Sequence, residues 1–198
     1  MQLPDIIKLA DAICDYSYPD ERPSWLKERD DGYHPRPGTK ECAMYYKFLY
    51  ALVKIVQPPI VVELGAGAHA ISALHIAAGS PTSRVTTVDT SPDMLASIKE
   101  APVTNLEGWV GHSLDLFPQF ASQLPGLIDL FFLDTSHVYG ETVEEYRRYR
   151  TLVRRGGIML FDDIVTHLDP SAFYAIDEPK YFHNKLHDTC GFVIAIKK

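Results

Sequence analysis

Asp134, Asp162 and Asp163 are the residues of this chain best placed, by type and spacing, to do chemistry. Each follows an apolar run, Ile128–Leu133 or Ile158–Phe161, that reads as a buried strand. Where two such strands are neighbours in a doubly wound sheet, their carboxyl ends face one pocket, and the three carboxylates converge there. Uncompensated, the trio repels itself and raises its own pKa values. A hard divalent cation resolves that conflict, and all-oxygen donors suit Mg²⁺ or a similar ion better than zinc. The acids have a plainer use, since Asp162 and Asp163 can satisfy loop amides and Asp134 a helix N-terminus. His137, three residues beyond Asp134, titrates near neutrality (~6.5) and could take a proton from a substrate hydroxyl. A surface histidine is the ordinary alternative.

A second constellation lies upstream. The apolar run Ile60–Leu64 carries Glu63 and then breaks into Gly65, Ala66 and Gly67, with His69 shortly after. The glycines let the main chain turn tightly and approach a ligand. A pyrophosphate pocket avoids a carboxylate at the strand end, whereas an aminoacyl or sulfonium ligand welcomes one. Asp89, with Thr90 beside it, ends the next apolar run about twenty residues on, where a carboxylate can accept both ribose hydroxyls of a nucleoside. Asp89 could instead cap the helix that starts at Pro92, although Ser91 can do that job. A third run, Trp109–Gln119, places Gly111, His112 and Ser113 at a strand-to-helix turn, with Ser113 a candidate N-cap.

These residues need elements to position them. From residue 60 onward strand and helix patterns alternate, the signature of a parallel sheet covered on both faces. Strands are expected at 60–64, 84–89, 107–111, 128–134, 157–162 and 191–197. Helices are expected near 70–79, 92–100, 114–122 and 140–154, the last stopped by Gly156 and Gly157. Before the sheet, an amphipathic helix spans 3–16 and a second runs from Thr39 to about Val56, ended by Pro58 and Pro59. Residues 17–38 and 164–190 are poorly patterned and read as irregular connections. The whole of 1–198 is expected to be a single domain: a helical segment and cap at 1–58, a core at 60–165, a substrate loop at 164–190 and a last strand at 191–198.

Composition narrows the class. Hydrophobic residues make up 46% and charged residues 23%, values that suit a packed globular core. The net charge of −7, without a basic stripe, disfavours nucleic acid, as does the lack of an Asn/Asp-Pro-Pro-aromatic motif. Cys14, Cys42 and Cys190 are odd in number and lack metal spacing, which suits a reducing cytoplasm. Neither a signal peptide nor an apolar run of membrane-spanning length is present, so a cytoplasmic protein is expected. The row Glu141, Glu144, Glu145, Arg147, Arg148 and Arg150 reads as a solvated helix face. Tyr45, Tyr46, Phe48 and Tyr50 share one helix, and a few could wall a substrate site. Among the other histidines, His75 reads as a helix-surface or core residue, and His34, His167, His183 and His187 could fold over a pocket without any spacing to single one out.

The glycine run of residues 63–67 resembles the first motif of class I S-adenosylmethionine-dependent methyltransferases, with His69 at the third glycine position. The run Gly111, Ser113, Asp115, Pro118 and Gln119 is similar to that of catechol O-methyltransferase-like enzymes. Asp134, His137, Asp162 and Asp163 look closer to a branch seen in antibiotic-modifying and cephalosporin-hydroxylase-like O-methyltransferases. The resemblance covers roughly residues 60–165. It implies an α/β, Rossmann-like three-layer sandwich, with a mostly parallel sheet and a reversed C-terminal strand. It implies S-adenosylmethionine as methyl donor, Mg²⁺ or a similar divalent cation on Asp134, Asp162 and Asp163, and a small-molecule hydroxyl acceptor. Glu63, Gly65, Ala66 and Gly67 would hold the methionine part, Asp89 and Thr90 the ribose, and Gly111, His112 and Ser113 the adenine. Asp134 and His137 would be catalytic, with Asp134 also beside the cofactor. The segment before the last strand is short for the family's terminal β-hairpin, so one edge element is expected to be missing or rebuilt, and a homodimer is left open. Two alternatives share the glycine loop and Asp89: an NAD-dependent oxidoreductase, and a nucleoside-binding partner protein without catalysis.

Overall fold

Successive residues of a strand point to opposite faces, and in this chain both faces are apolar. The computed structural model describes residues 1–33, 42–124, 126–164, 171–187 and 191–198. Its strands are β1 (Ile60–Leu64), β2 (Arg84–Asp89), β3 (Leu106–Val110), β4 (Ile128–Leu133), β5 (Val153–Phe161), β6 (Lys180–His183) and β7 (Phe192–Ile196). Its helices are α1 (Leu3–Cys14), α2 (Ser24–Tyr33), α3 (Cys42–Val56), α4 (Ile71–Gly79), α5 (Asp93–Glu100), α6 (Ser113–Gln123), α7 (Tyr139–Tyr149) and α8 (Ser171–Ala175). Val61, Leu130, Phe132, Ile158, Leu160 and Ile194 pack on one face of the sheet with α1, α3 and α4. Their neighbours Val62, Phe131, Leu133, Met159, Phe161 and Val193 pack on the other face with α6, α7 and α8. That alternation makes three layers, the Rossmann-like sandwich expected.

The strand order is β3-β2-β1-β4-β5-β7-β6. The first five are parallel, β7 is antiparallel to β5, and β6 is antiparallel to β7. The order reverses direction between β1 and β4, so a crevice opens there at the carboxyl ends of the strands. β6 completes a terminal hairpin, so the edge element expected to be missing or rebuilt is present as a short strand. Four residues suffice for it, because Ile194 and Val193 of β7 face Tyr181 and Phe182 in register.

Several boundaries differ from expectation. Residues 17–38 are not wholly irregular, since α2 lies within them, its Leu26 buried against Tyr50 and Leu74. The segment 164–190 holds α8 and β6. α7 ends at Tyr149, not near 154, and β5 starts at Val153, so Gly156 and Gly157 lie inside a strand rather than stopping a helix. Gly156 adopts φ +76°, opposite a register shift between Ile128 and Leu130, which makes the pair a bulge. Leu152 and Val153 are both buried, which draws the chain into the sheet before the glycines are reached. Thr39, the expected N-cap of α3, lies outside the described residues.

Candidate active site

β1 delivers Glu63 beneath the glycine loop. The Glu63 side chain shares a sheet face with Thr87, its registered partner on β2, and Thr87 Oγ1 donates to Glu63 Oε2. Glu63 is fully buried and its Oε1 has no hydrogen-bond partner. Burial pushes its carboxyl up to about 7, against the pull of Ser72 and Thr87, with the Asp134 and Asp89 charges adding to the rise. Unlike the other expected site residues, Glu63 has no face on the cavity; Ser72 of α4 stands at the wall instead.

The loop's two glycines do different work. Gly65 (φ +92°) lies against β4: a Cβ there would sit 1.7 Å from the Asp134 carbonyl oxygen. Gly67 (φ +63°) faces open space, with nothing within 4 Å of an added Cβ. His69 is exposed and outside the cavity wall.

A cavity of about 410 Å³ fills the crevice. Its first end is walled by Gly65, Ala66, Gly67, Asp89, Thr90, Gly111, His112 and Ser113. Asp89 already serves two loop amides: Gly67 N–H donates to Oδ2 at 2.7 Å and Ser91 N–H to Oδ1 at 2.8 Å. Ser91 is therefore not the N-cap expected; α5 starts at Asp93 with Pro92 at its cap. Each carboxylate oxygen keeps a further lone pair for the cavity. His112, not Ser113, caps α6, accepting the Leu114 amide at 3.4 Å. Ser113 donates instead to Glu145.

The second end gathers the carboxylates. β4 and β5 pair directly, so Asp134 and the Asp162–Asp163 pair meet as their strand ends require. Two histidines thread them. His137 Nε2 lies 3.2 Å from Asp134 Oδ1 and 3.1 Å from Asp163 Oδ2. His187 Nδ1 lies 3.0 and 3.1 Å from the two Asp162 oxygens. Burial raises the Asp134 carboxyl and takes that of Asp162 to about 7, the hydrogen bonds from His137 and His187 working the other way. The hydrogen bond to Asp134 raises His137 in turn. His137 (φ +58°) and Asp163 (φ +56°) both hold left-handed backbone conformations that side chains disfavour, a form of strain that gathers at functional sites. Asp163 Oδ1 is buried without a hydrogen-bond partner. Crowded, buried carboxylates with an orphaned oxygen fit a cation.

Ser72, Val88, Thr135 and Ser136 line the cavity without a sequence signal, and three ionisable residues of its wall were also not singled out by sequence. His187 was one of four histidines without a distinguishing pattern; among the others, His183 is buried against α1, and His34 and His167 lie outside the described residues. Glu145 was grouped with a solvated face, but it is only 2% exposed and accepts from Ser113 and, at 2.6 Å, from Thr135. Its spacing with Thr142, Tyr146 and Tyr149, all buried, carried the signal. Glu141 also reaches the cavity, where Ser136 donates to it at 2.5 Å. From the same stripe, Arg148 and Glu144 do form the exposed i,i+4 pair. Tyr45 and Tyr46 wall the cavity, and His75 is a core residue stacked on Tyr46.

A doubly wound sheet with one reversed strand and a glycine-lined cavity at its switch point defines a Rossmann-like enzyme class. The chain belongs to the methyltransferase-domain family, which matches residues 62–164. Its fold is similar to that of an O-methyltransferase from Bacillus cereus in complex with SAH, at 21% identity and TM-score 0.71 over 96% of this chain and 97% of that one. It is also similar to the O-methyltransferase TomG from Streptomyces achromogenes, involved in tomaymycin synthesis and in complex with SAM. There the identity is 19% and the TM-score 0.65, over 100% of this chain and 91% of that one. No curated protein sequence matches the chain significantly. Family membership removes the oxidoreductase alternative. Among the described residues, no helix is long and apolar enough to cross a membrane.

Proposed function

We propose that the chain is an S-adenosylmethionine-dependent O-methyltransferase that methylates a hydroxyl of a small molecule in the cytoplasm, with a divalent cation at Asp134, Asp162 and Asp163. One observation carries this reading: a single cavity joins the glycine loop and Asp89 at one end to three carboxylates and His137 at the other. Both similar O-methyltransferases were solved with SAH or SAM, which supports the choice of donor.

Gly67 leaves room for the methionine part of the donor, and Gly65 and Ala66 hold the loop's path beside it. Glu63 lies behind that wall, its unpartnered Oε1 placing a carboxylate under the site of the ammonium group. Asp89 and Thr90 face the ribose. Gly111, His112 and Ser113 border the adenine. The donor supplies a methyl group on a sulfonium whose departure leaves a neutral thioether, so the protein's main task is alignment. A bound divalent cation supplies Lewis acidity that lowers the pKa of a hydroxyl and orients it. With Asp134 and Asp163 engaged by a cation, His137 Nε2, which otherwise donates to them, would be free to take the hydroxyl proton, and the neighbouring Asp134 would steady the imidazolium that results.

Thermal unfolding with S-adenosylhomocysteine and with NAD⁺ tests the donor. At about a hundred times its dissociation constant, S-adenosylhomocysteine should stabilise by ~2.7 kcal/mol, or roughly 5–10 °C at this size. NAD⁺ should do nothing. Transfer of labelled methyl to a panel of phenols and sugars should depend on a divalent cation. A shift with NAD⁺ alone would refute the donor, and tight S-adenosylhomocysteine binding without turnover on any acceptor would favour the non-catalytic partner.

Asp89→Ala provides a sharper check. It should weaken S-adenosylhomocysteine binding by about tenfold or more and cost only about 1–2 kcal/mol of stability, because two exposed-side amides lose their acceptor. An unchanged affinity would remove Asp89 from the ribose site.

A further inference from the structure

His187 reaches the carboxylates by a route built into the terminal hairpin. β6 ends at His183, whose Nδ1 accepts the amides of Lys185 and Leu186 at 3.3 and 3.1 Å and tightens the turn that follows. Leu186 is fully buried and anchors that turn. The Gly191 amide then binds the His187 carbonyl at 2.8 Å. The imidazole stacks on Tyr45 at 5.4 Å between centroids and 18° between planes, which fixes its plane. Its Nδ1 is aimed at the acidic pair, 3.0 Å from Asp162 Oδ1 and 3.6 Å from Asp163 Oδ1. Donor atoms bound cis on a first-row divalent cation at about 2.1 Å lie ~3 Å apart, so these separations already approach those of a coordination sphere. The orphaned Asp163 Oδ1 is the atom the three donors leave unsatisfied.

We propose that His187 Nδ1 is a nitrogen ligand to the cation, making a mixed imidazole–carboxylate site that selects a borderline divalent ion such as Mn²⁺, Fe²⁺, Co²⁺ or Zn²⁺ over Mg²⁺. The inference rests on the reading that these carboxylates hold a cation, and it alters the Mg²⁺ preference that an all-oxygen set implies. Imidazole binds the later first-row ions well, whereas Mg²⁺ prefers oxygen and gives up its waters reluctantly. The stacked Tyr45 ring and the buried turn hold the imidazole in place, so little order remains to be gained when the ion arrives.

The competing role for His187 is that of an ion-pair partner that merely neutralises Asp162. Cation binding to the full chain, measured by calorimetry with Mg²⁺ and Co²⁺ separately, distinguishes the two. Co²⁺ should bind at least about tenfold more tightly than Mg²⁺. His187→Gln and His187→Asn should reduce Co²⁺ affinity by about tenfold or more while changing Mg²⁺ affinity by less than about threefold. Pulsed electron paramagnetic resonance of the Mn²⁺-loaded protein should show an imidazole nitrogen coupling that persists in His137→Gln and vanishes in His187→Gln. Equal losses for both ions, a coupling unchanged in His187→Gln, or no cation binding at all would each overturn the proposal. S-adenosylhomocysteine binding to the metal-free protein is read in parallel. If it binds and the nitrogen signature is missing, the His187 assignment alone fails; if it does not bind, the methyltransferase reading fails whatever the cations do.

Discussion

Replacing Gly65 with alanine is expected to lower the unfolding temperature by roughly 6–12 °C, the equivalent of about 3 kcal/mol or more. The added Cβ would meet the Asp134 carbonyl oxygen at 1.7 Å, its carbon at 2.4 Å and the Thr135 nitrogen at 2.9 Å, all backbone atoms with no rotamer to yield. Relief requires β1 and β4 to part at their carboxyl ends. That strains the hydrogen bonds from Asp134 N–H to Leu64 O and from Gly65 N–H to Val88 O, at 2.9 and 2.8 Å. The backbone at φ +92° adds a penalty of its own for any side chain. Gly67→Ala is the internal control. Its Cβ meets no atom, so the cost should be only the left-handed backbone, about 1 kcal/mol. The same methyl would point into the space left for the donor, and S-adenosylhomocysteine affinity should fall by about tenfold or more. Calorimetric unfolding and ligand titration of both variants test the pair. Gly65→Ala melting within about 2 °C of the unsubstituted protein would show that β4 does not press on the loop.

Glu63→Gln should change how stability depends on pH. A carboxyl whose pKa rises on folding, here from 4.5 to about 7, holds its proton more tightly in the native state than in the unfolded chain. Stability is then greatest below the unfolded value and declines as pH climbs from about 4.5 through about 7. Losing the proton-bound preference costs up to roughly 3 kcal/mol above neutrality. Glutamine cannot ionise, so the variant should match or slightly trail the original protein near pH 5 and exceed it near pH 8. Denaturant unfolding across that range, on protein free of ligand, reads the difference. Parallel curves for the two proteins would show that Glu63 is not the group responsible. On the proposed placement the donor's ammonium would offer the buried carboxylate a counter-charge, so Glu63→Gln should also weaken S-adenosylhomocysteine binding while stabilising the free protein above neutrality.

The fold was legible because its signals are strong and local. Apolar runs of strand length, Asp89 and Asp134 at strand ends, and proline stops at Pro58 and Pro59 leave few arrangements open. The carboxylate cluster followed from strand adjacency alone, since β4 and β5 pair in register through Leu133 and Phe161. Other features depend on contacts distant in sequence. His187 meets Asp162 twenty-five residues earlier through a turn that His183 sets up, and no spacing encodes that encounter. Glu145 hid among like residues because its helix is charged on both sides, although its buried neighbours share its face. The Gly156–Gly157 pair misled because two glycines serve a strand bulge as well as a helix stop. Asp89 shows the converse limit: the sequence placed it at the cavity, but only the structure shows both its oxygens already engaged by loop amides.

The reversal of strand order between β1 and β4 also has an evolutionary meaning. On the proposed placement, the donor end of the cavity draws on residues up to Ser113 and the acceptor end chiefly on Asp134 onward, with the tyrosines of α3 the exception and Glu145 joining the two ends through Ser113. Mutation can therefore change His187, the one described residue of 171–187 on the cavity wall, while leaving the glycine loop and Asp89 under separate selection. For the engineer the same division marks a graft boundary: exchanging residues 171–187 among related chains should alter cation binding at the carboxylates before it alters which donor is used.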